Sequence, residues 1–200
     1  MLKAEQISFR YTHNGPWILR DVSLAIEAGE VVGLSAPSGR GKTTLGKILA
    51  GYLPPLTGRV SLNGAPLPKS GYCPVQLIFQ HPELAINPRW RMKRVLEEAF
   101  VPSAELLRDL GIEAGWLNRW PHELSGGELQ RFAVARALGP ATRYVIADEM
   151  TTMLDANTQA HIWQVVLDHV RRRKLGLLVV SHDAALLGRL CTQIISLPHL

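Results

Sequence analysis

A short apolar run, Glu30–Ser35, leads into Ala36-Pro37-Ser38-Gly39-Arg40-Gly41-Lys42-Thr43, and a helical pattern follows from Lys42 to about Ala50. No other stretch constrains the fold as tightly. A strand, a loop of small residues and a helix make successive backbone N–H groups converge, with the positive end of the helix dipole behind them. Such a loop cradles phosphate. Lys42 supplies a point charge for the outer phosphates, and the Thr43 hydroxyl, with Thr44 beside it, is placed to ligate Mg²⁺. A glycine-rich turn without function would need neither the strand before it nor the helix after it.

The rest of the chain continues that alternation. Ile7, Phe9 and Tyr11 alternate with polar residues, and Ile18–Ile26 alternates again after His13-Asn14-Gly15-Pro16, which predicts an antiparallel pair. Further strands are expected at Arg59–Leu62, Val75–Phe79, Tyr144–Ala147, Leu177–Ser181 and Thr192–Leu197. Helices are expected from Gly127 to about Leu138, at Ala156–Arg173 and at Ala184–Leu190. Residues from about 82 to 138 read as a helical insertion, with pieces at Met92–Phe100 and Ala104–Leu110 broken by Pro88, Pro102, Gly111 and Pro121. The expectation is one α/β domain over residues 1–200, with a mostly parallel sheet covered on both faces, an antiparallel N-terminal β subdomain and the helical insertion.

Composition removes several classes. With 46% hydrophobic and 20% charged residues, the chain is neither disordered nor of low complexity. Its longest apolar runs, such as Leu175–Ser181, fall short of the roughly 18–20 residues that span a bilayer. Met1–Tyr11 reads as a strand rather than a leader, and Cys73 and Cys191 form no disulfide framework. A soluble intracellular domain is therefore expected. The net charge of +5 originates in the first half, where Arg89, Arg91, Lys93 and Arg94 cluster. Such a cluster is a solvated face or a contact for nucleic acid, anionic lipid or an acidic partner. The cations Arg171–Lys174 end a predicted helix, where they complement its dipole.

A phosphate loop needs an acid across from it. The run Tyr144-Val145-Ile146-Ala147 delivers Asp148 and Glu149 to the carboxyl end of a buried strand, where open α/β sheets bind ligands. Asp148 suits a Mg²⁺ contact, and Glu149 suits a general base acting on water. A second anion site lies at Leu124-Ser125-Gly126-Gly127-Glu128, again free N–H groups at a helix start. A chain that already cradles phosphate has no need of it for the same nucleotide within one subunit.

With these residues in order, the chain resembles the ATP-binding subunit of ABC transporters over nearly its whole length. Ala36–Thr43 is similar to the Walker A loop, with Ala36 where glycine is usual. Tyr144–Glu149 is similar to Walker B and Leu124–Glu128 to the signature motif. Gln80 is placed like the Q-loop glutamine, Leu154-Asp155 like the D-loop, His182 like the switch histidine and Tyr11 like the aromatic that stacks on adenine. The resemblance implies a P-loop ATPase with ATP and Mg²⁺ as cofactors. Thr43, Gln80 and Asp148 would hold the metal, while Lys42, Gln80, Glu149 and His182 would serve hydrolysis. Tyr11, the loop 36–44, Ser125–Glu128 and Asp155 would contact nucleotide.

Finer likeness points to peptide and nickel importers: Phe79-Gln80-His81-Pro82 with Ile86-Asn87-Pro88-Arg89, Trp120–Leu124, and Thr151-Thr152-Met153-Leu154-Asp155. Met150 departs from that pattern, which usually has proline after the glutamate, and the chain lacks the C-terminal extension of many peptide importers. The implied partners are integral-membrane permease subunits and a sister ATP-binding subunit or second copy, paired head-to-tail. An extracytoplasmic solute-binding protein is implied indirectly, and the implied location is peripheral, on the cytoplasmic face of the inner membrane. No nucleic acid is expected. The rival is a non-transport ABC ATPase acting on nucleic acid or ribosomes, whose binding would depend steeply on salt.

Overall fold

The computed structural model describes residues 1–37 and 39–197. Its elements run β1 (Leu2–Phe9), β2 (Leu19–Ile26), β3 (Val31–Ser35), α1 (Lys42–Leu49), β4 (Thr57–Leu62), β5 (Ala65–Pro66) and β6 (Val75–Ile78). Then come α2 (Met92–Leu96), α3 (Ala104–Asp109), α4 (Gly126–Ala137), β7 (Tyr144–Asp148), α5 (Ala156–Arg173), β8 (Gly176–Val180), α6 (Ala184–Leu190) and β9 (Gln193–Ser196). Three 3-10 turns, Pro82–Ala85, Ala114–Asn118 and Pro121–Glu123, join the helices between β6 and β7. No helix among the described residues is long and apolar enough to cross a membrane.

Two sheets form. One is antiparallel in the order β2-β1-β4-β5, the other parallel in the order β6-β7-β8-β3-β9. The inner strands β3, β7 and β8 are short, largely apolar and buried because both faces are covered, whereas the edge strand β9 is mostly exposed. Their side chains alternate between two cores. Tyr144, Ile146, Leu178 and Val180 face the antiparallel sheet and α1, whereas Val145, Ala147, Leu177 and Val179 face the core that holds α4 and α5. This double covering places the ends of β3, β7 and β8 side by side. Lys42, Asp148, Glu149 and His182 all lie at or just beyond those three ends.

The expected elements form, with differences at the margins. The helix expected over Met92–Phe100 stops at Leu96, before the chain reaches Pro102. Tyr11 lies two residues beyond the end of β1. The cationic end of α5 acts outside its own helix. Arg173 donates to the carbonyls of Leu138 (2.8 Å), Gly139 (2.7 Å), Pro140 (3.0 Å) and Thr142 (3.2 Å), satisfying the chain just after α4. In the basic cluster, Arg94 lies 4.1 Å over the Trp90 ring and Arg91 5.0 Å over Trp120, so two of its cations rest on aromatic faces.

Candidate functional site

The loop after β3 turns sharply into α1. Arg40 N–H donates to Pro37 O at 3.3 Å, and Gly41 caps the helix at φ 85°. A Cβ on Gly41 would sit 2.8 Å from Ile18 O and 2.9 Å from Ile18 Cγ2, so both the backbone sign and the space demand glycine. Among the described residues no side chain caps α1 and no acid lies in its first turn, which leaves its N-terminal donors free for an anion. Ser38 lies outside the described residues.

Lys42 opens that helix and is only 6% exposed. Its Nζ donates to Ala36 O at 2.7 Å and Pro37 O at 3.2 Å, and stands 3.8 Å from Glu149 Oε1. The cation thus lies folded back against its own loop. Thr43 is exposed, and Thr44 is buried with its Oγ1 2.9 Å from Tyr11 Oη. That contact ties Tyr11 to the helix while its ring, edge-on to Phe9, stays 61% exposed.

Across from the loop, β7 ends at Asp148, which is buried and whose Oδ1 has no hydrogen-bond partner among the described residues. Burial raises its carboxyl above the ordinary value, with Thr43 and Lys42 pulling the other way. A buried, orphaned carboxylate oxygen is uncommon and calls for a ligand. Oxygen donors from a carboxylate and the neighbouring Thr43 fit a hard divalent cation.

Glu149 follows in the left-handed region, φ 48°. For a side-chain-bearing residue this costs about 1 kcal/mol, and such outliers gather where function fixes the backbone. Its Oε1 is met from two sides, by Lys42 and by His182 Nδ1 at 3.2 Å. His182 sits just past β8, and Ser181 Oγ next to it accepts the Asp183 N–H at 3.0 Å. Three strand ends therefore bring Lys42, Glu149 and His182 together.

Gln80 is half-buried in a bend two residues after β6. Its neighbour Phe79 offers a carbonyl that Gln130 Nε2 of α4 reaches at 3.3 Å, a tether absent from the sequence reading. At the start of α4, Glu128 N–H donates to Ser125 Oγ at 3.2 Å, and Ser125 N–H donates to Glu128 Oε2 at 2.8 Å. This capping box fixes the helix start. Gly126 is exposed, with nothing within 4 Å of where a Cβ would lie, and Gly127 lies 3.6 Å from Leu154 Cδ2 by the same measure. Asp155 caps α5, its Oδ1 accepting the N–H groups of Asn157 (3.1 Å) and Thr158 (3.0 Å). The hydrogen bonds from Thr158 hold its carboxyl below the usual range.

Two long-range contacts escaped the sequence. Trp163 donates its indole N–H to Thr151 Oγ1 at 3.0 Å. The imidazole of His161 meets Asp109 O at 2.7 Å and Arg131 at 3.1 Å, joining α5 to the helical stretch. Neither pair has a recognisable spacing in the chain.

A family profile for ABC transporters matches residues 19–152. The nickel import ATP-binding protein NikE of Escherichia coli is 30% identical over 97% of this chain and 82% of its own length. The "Probable peptide ABC transporter ATP-binding protein y4tS" of Sinorhizobium fredii is 29% identical over 92% of this chain and 60% of its own. Among solved structures, the ATP-binding cassette MJ0796, dimeric in a post-hydrolysis state with ADP and Pi, superposes with a TM-score of 0.82. It is 25% identical, over 98% of this chain and 94% of that one.

Proposed function

The chain belongs to the ABC transporter family as an ATP-binding and ATP-hydrolysing subunit, and from that premise we propose that it powers solute import through a membrane permease. The observation that carries the site reading is the meeting of Lys42, Glu149 and His182 at one carboxylate, beside the orphaned oxygen of Asp148.

In this reading ATP lies over the loop Ala36–Thr44, with Tyr11 stacked on adenine. Lys42 exchanges the carbonyls of Ala36 and Pro37 for the outer phosphates, a swing that leaves Glu149 free to polarise water. His182 donates to the γ-phosphate. Thr43, Gln80 and Asp148 would hold Mg²⁺, which when bound neutralises charge on the transferring phosphoryl group. Positioning and charge do most of the work in such a transfer. The opposite face of the nucleotide is taken by Ser125–Glu128 of a second copy or a sister ATP-binding subunit turned head-to-tail, with Asp155 at the seam.

Residues from about 82 to 138 form the helical subdomain in this proposal. Between them and the core runs a groove of about 1370 Å³, lined by Tyr52, Tyr72, Phe79, Leu84, Phe100 and Arg136 among others. Permease subunits would dock there, and Gln80 beside it would report the nucleotide state. The protein would sit peripherally on the cytoplasmic face of the inner membrane, served indirectly by an extracytoplasmic solute-binding protein. The solute class is nickel or another metal complex, or peptide, as the relatives' names suggest.

The test is a titration of MgATP against the wild type and Lys42→Ala. Loss of a charge-assisted contact to phosphate should weaken affinity about 10–100-fold. Unchanged affinity would remove the loop from the account.

A further inference from the structure

The turn that follows Glu149 is held from outside itself. Glu149 N–H donates to Val180 O at 3.0 Å, and Glu149 O accepts the Thr152 N–H at 3.2 Å and hydroxyl at 2.9 Å. Position 150, where the resemblance places proline, is a buried methionine. Proline would fix its own φ near −65° and restrict the residue before it. Methionine imposes neither restraint. Yet Glu149 keeps its left-handed backbone. Something else must hold the turn.

The next residue shows what does. Thr151 and Trp163 are 3% and 4% exposed, and the indole N–H donates to the Thr151 hydroxyl at 3.0 Å. A buried indole N–H keeps a partner because losing it leaves a desolvated donor, so the bond restrains both ends. Trp163 also lines a cavity of about 140 Å³ together with Glu149, Thr151 and His182. The clamp therefore closes directly behind the carboxylate.

We propose that Trp163 is a positioning residue for hydrolysis: through Thr151 it holds the turn that keeps the Glu149 carboxylate between Lys42 and His182. The proposal rests on Glu149 acting on water, as read above.

The experiment measures steady-state ATPase of the full chain for Trp163→Phe, Thr151→Val and the double variant. Each single change should lower kcat about tenfold, since small misplacements of reacting groups are costly, with KM for ATP kept within about twofold. The double should fall no further than either single, because both remove one bond. Thr151→Val keeps the test open should Trp163→Phe lose its fold. Full kcat in both singles, additive losses, or a matching rise in KM would each overturn the clamp. A Glu149→Gln control separates the failures. If that variant turns over normally, the reading of Glu149 falls and the clamp with it; if it is inactive while Trp163→Phe is not, only the clamp falls.

Discussion

The two anion-ready ends of this molecule are built in opposite ways. At the loop end, among the described residues, α1 has no side-chain cap and Asp148 keeps an unpartnered buried oxygen, and Glu149 sits in a costly backbone conformation. At the start of α4, Ser125 and Glu128 satisfy each other, and Gly126 faces open space. The first end is unsatisfied without a ligand. The second is complete in itself and presents donors outward. A site left in deficit binds and reacts, whereas a preorganised, locally stable face is suited to clamp what another subunit brings.

That contrast breaks most easily at the carboxylate. Glu149→Gln should lower ATP turnover at least about 100-fold while leaving ATP affinity within about threefold. Steady-state turnover beside a binding titration reads both. Normal turnover would mean that the deficit at this end serves stability or binding only.

A smaller effect sharpens the contrast through stability. The Asp148 carboxyl is raised by burial, so its folded-state value lies above its unfolded one. Its contribution to stability is then fully present below the unfolded value and is lost as pH rises through the folded value. Above the folded-state value the ligand-free protein carries an unfavourable buried charge. Asp148→Asn should therefore raise the melting temperature without nucleotide at pH above that value by about 2–4 °C, the shift for roughly 1 kcal/mol in a chain of this size. The gain should shrink as pH falls through that value, and hydrolysis should be lost throughout. Thermal scans across pH give the answer, and a variant destabilised at the alkaline end of the scan would contradict the deficit.

The opposite sign is expected at α4. Ser125→Ala removes the cap and should lower stability by about 1 kcal/mol. A thermal scan of this variant with no loss would mean that the box does not hold that helix start.

How far the sequence carried this picture depended on whether a signal was local. α5 was legible to the residue, because Asp155 caps it and its apolar period is clear. The loop and the Asp148-Glu149 pair were legible for the same reason, whereas the Ser125–Glu128 box was not, since the sequence reading placed free N–H groups there and the Ser125 hydroxyl accepts one of them. Tyr11, Gln80 and His182 were placed by resemblance, and their spatial partners only by the fold. The 3-10 turns between β6 and β7 were missed, because short turns carry no period to read. The Trp163–Thr151 bond and the four carbonyls around Arg173 were also invisible, since they join separate elements. The fold of Lys42 onto Ala36 and Pro37 was likewise unforeseen: sequence gave the cation its ligand but not its resting partner.

The account turns on one nucleotide being shared by the unsatisfied end of one subunit and the preorganised end of another. Mixing two inactive variants, Lys42→Ala and Ser125→Arg, tests this most directly, at a chain concentration where the wild type turns over. A mixed pair rebuilds one complete site from the sound loop of one variant and the sound helix start of the other. Equal mixing should recover about a quarter of wild-type ATPase activity if subunits pair at random as symmetric dimers do. A mixture no more active than the average of its two components, beside an active wild type, would contradict the shared site.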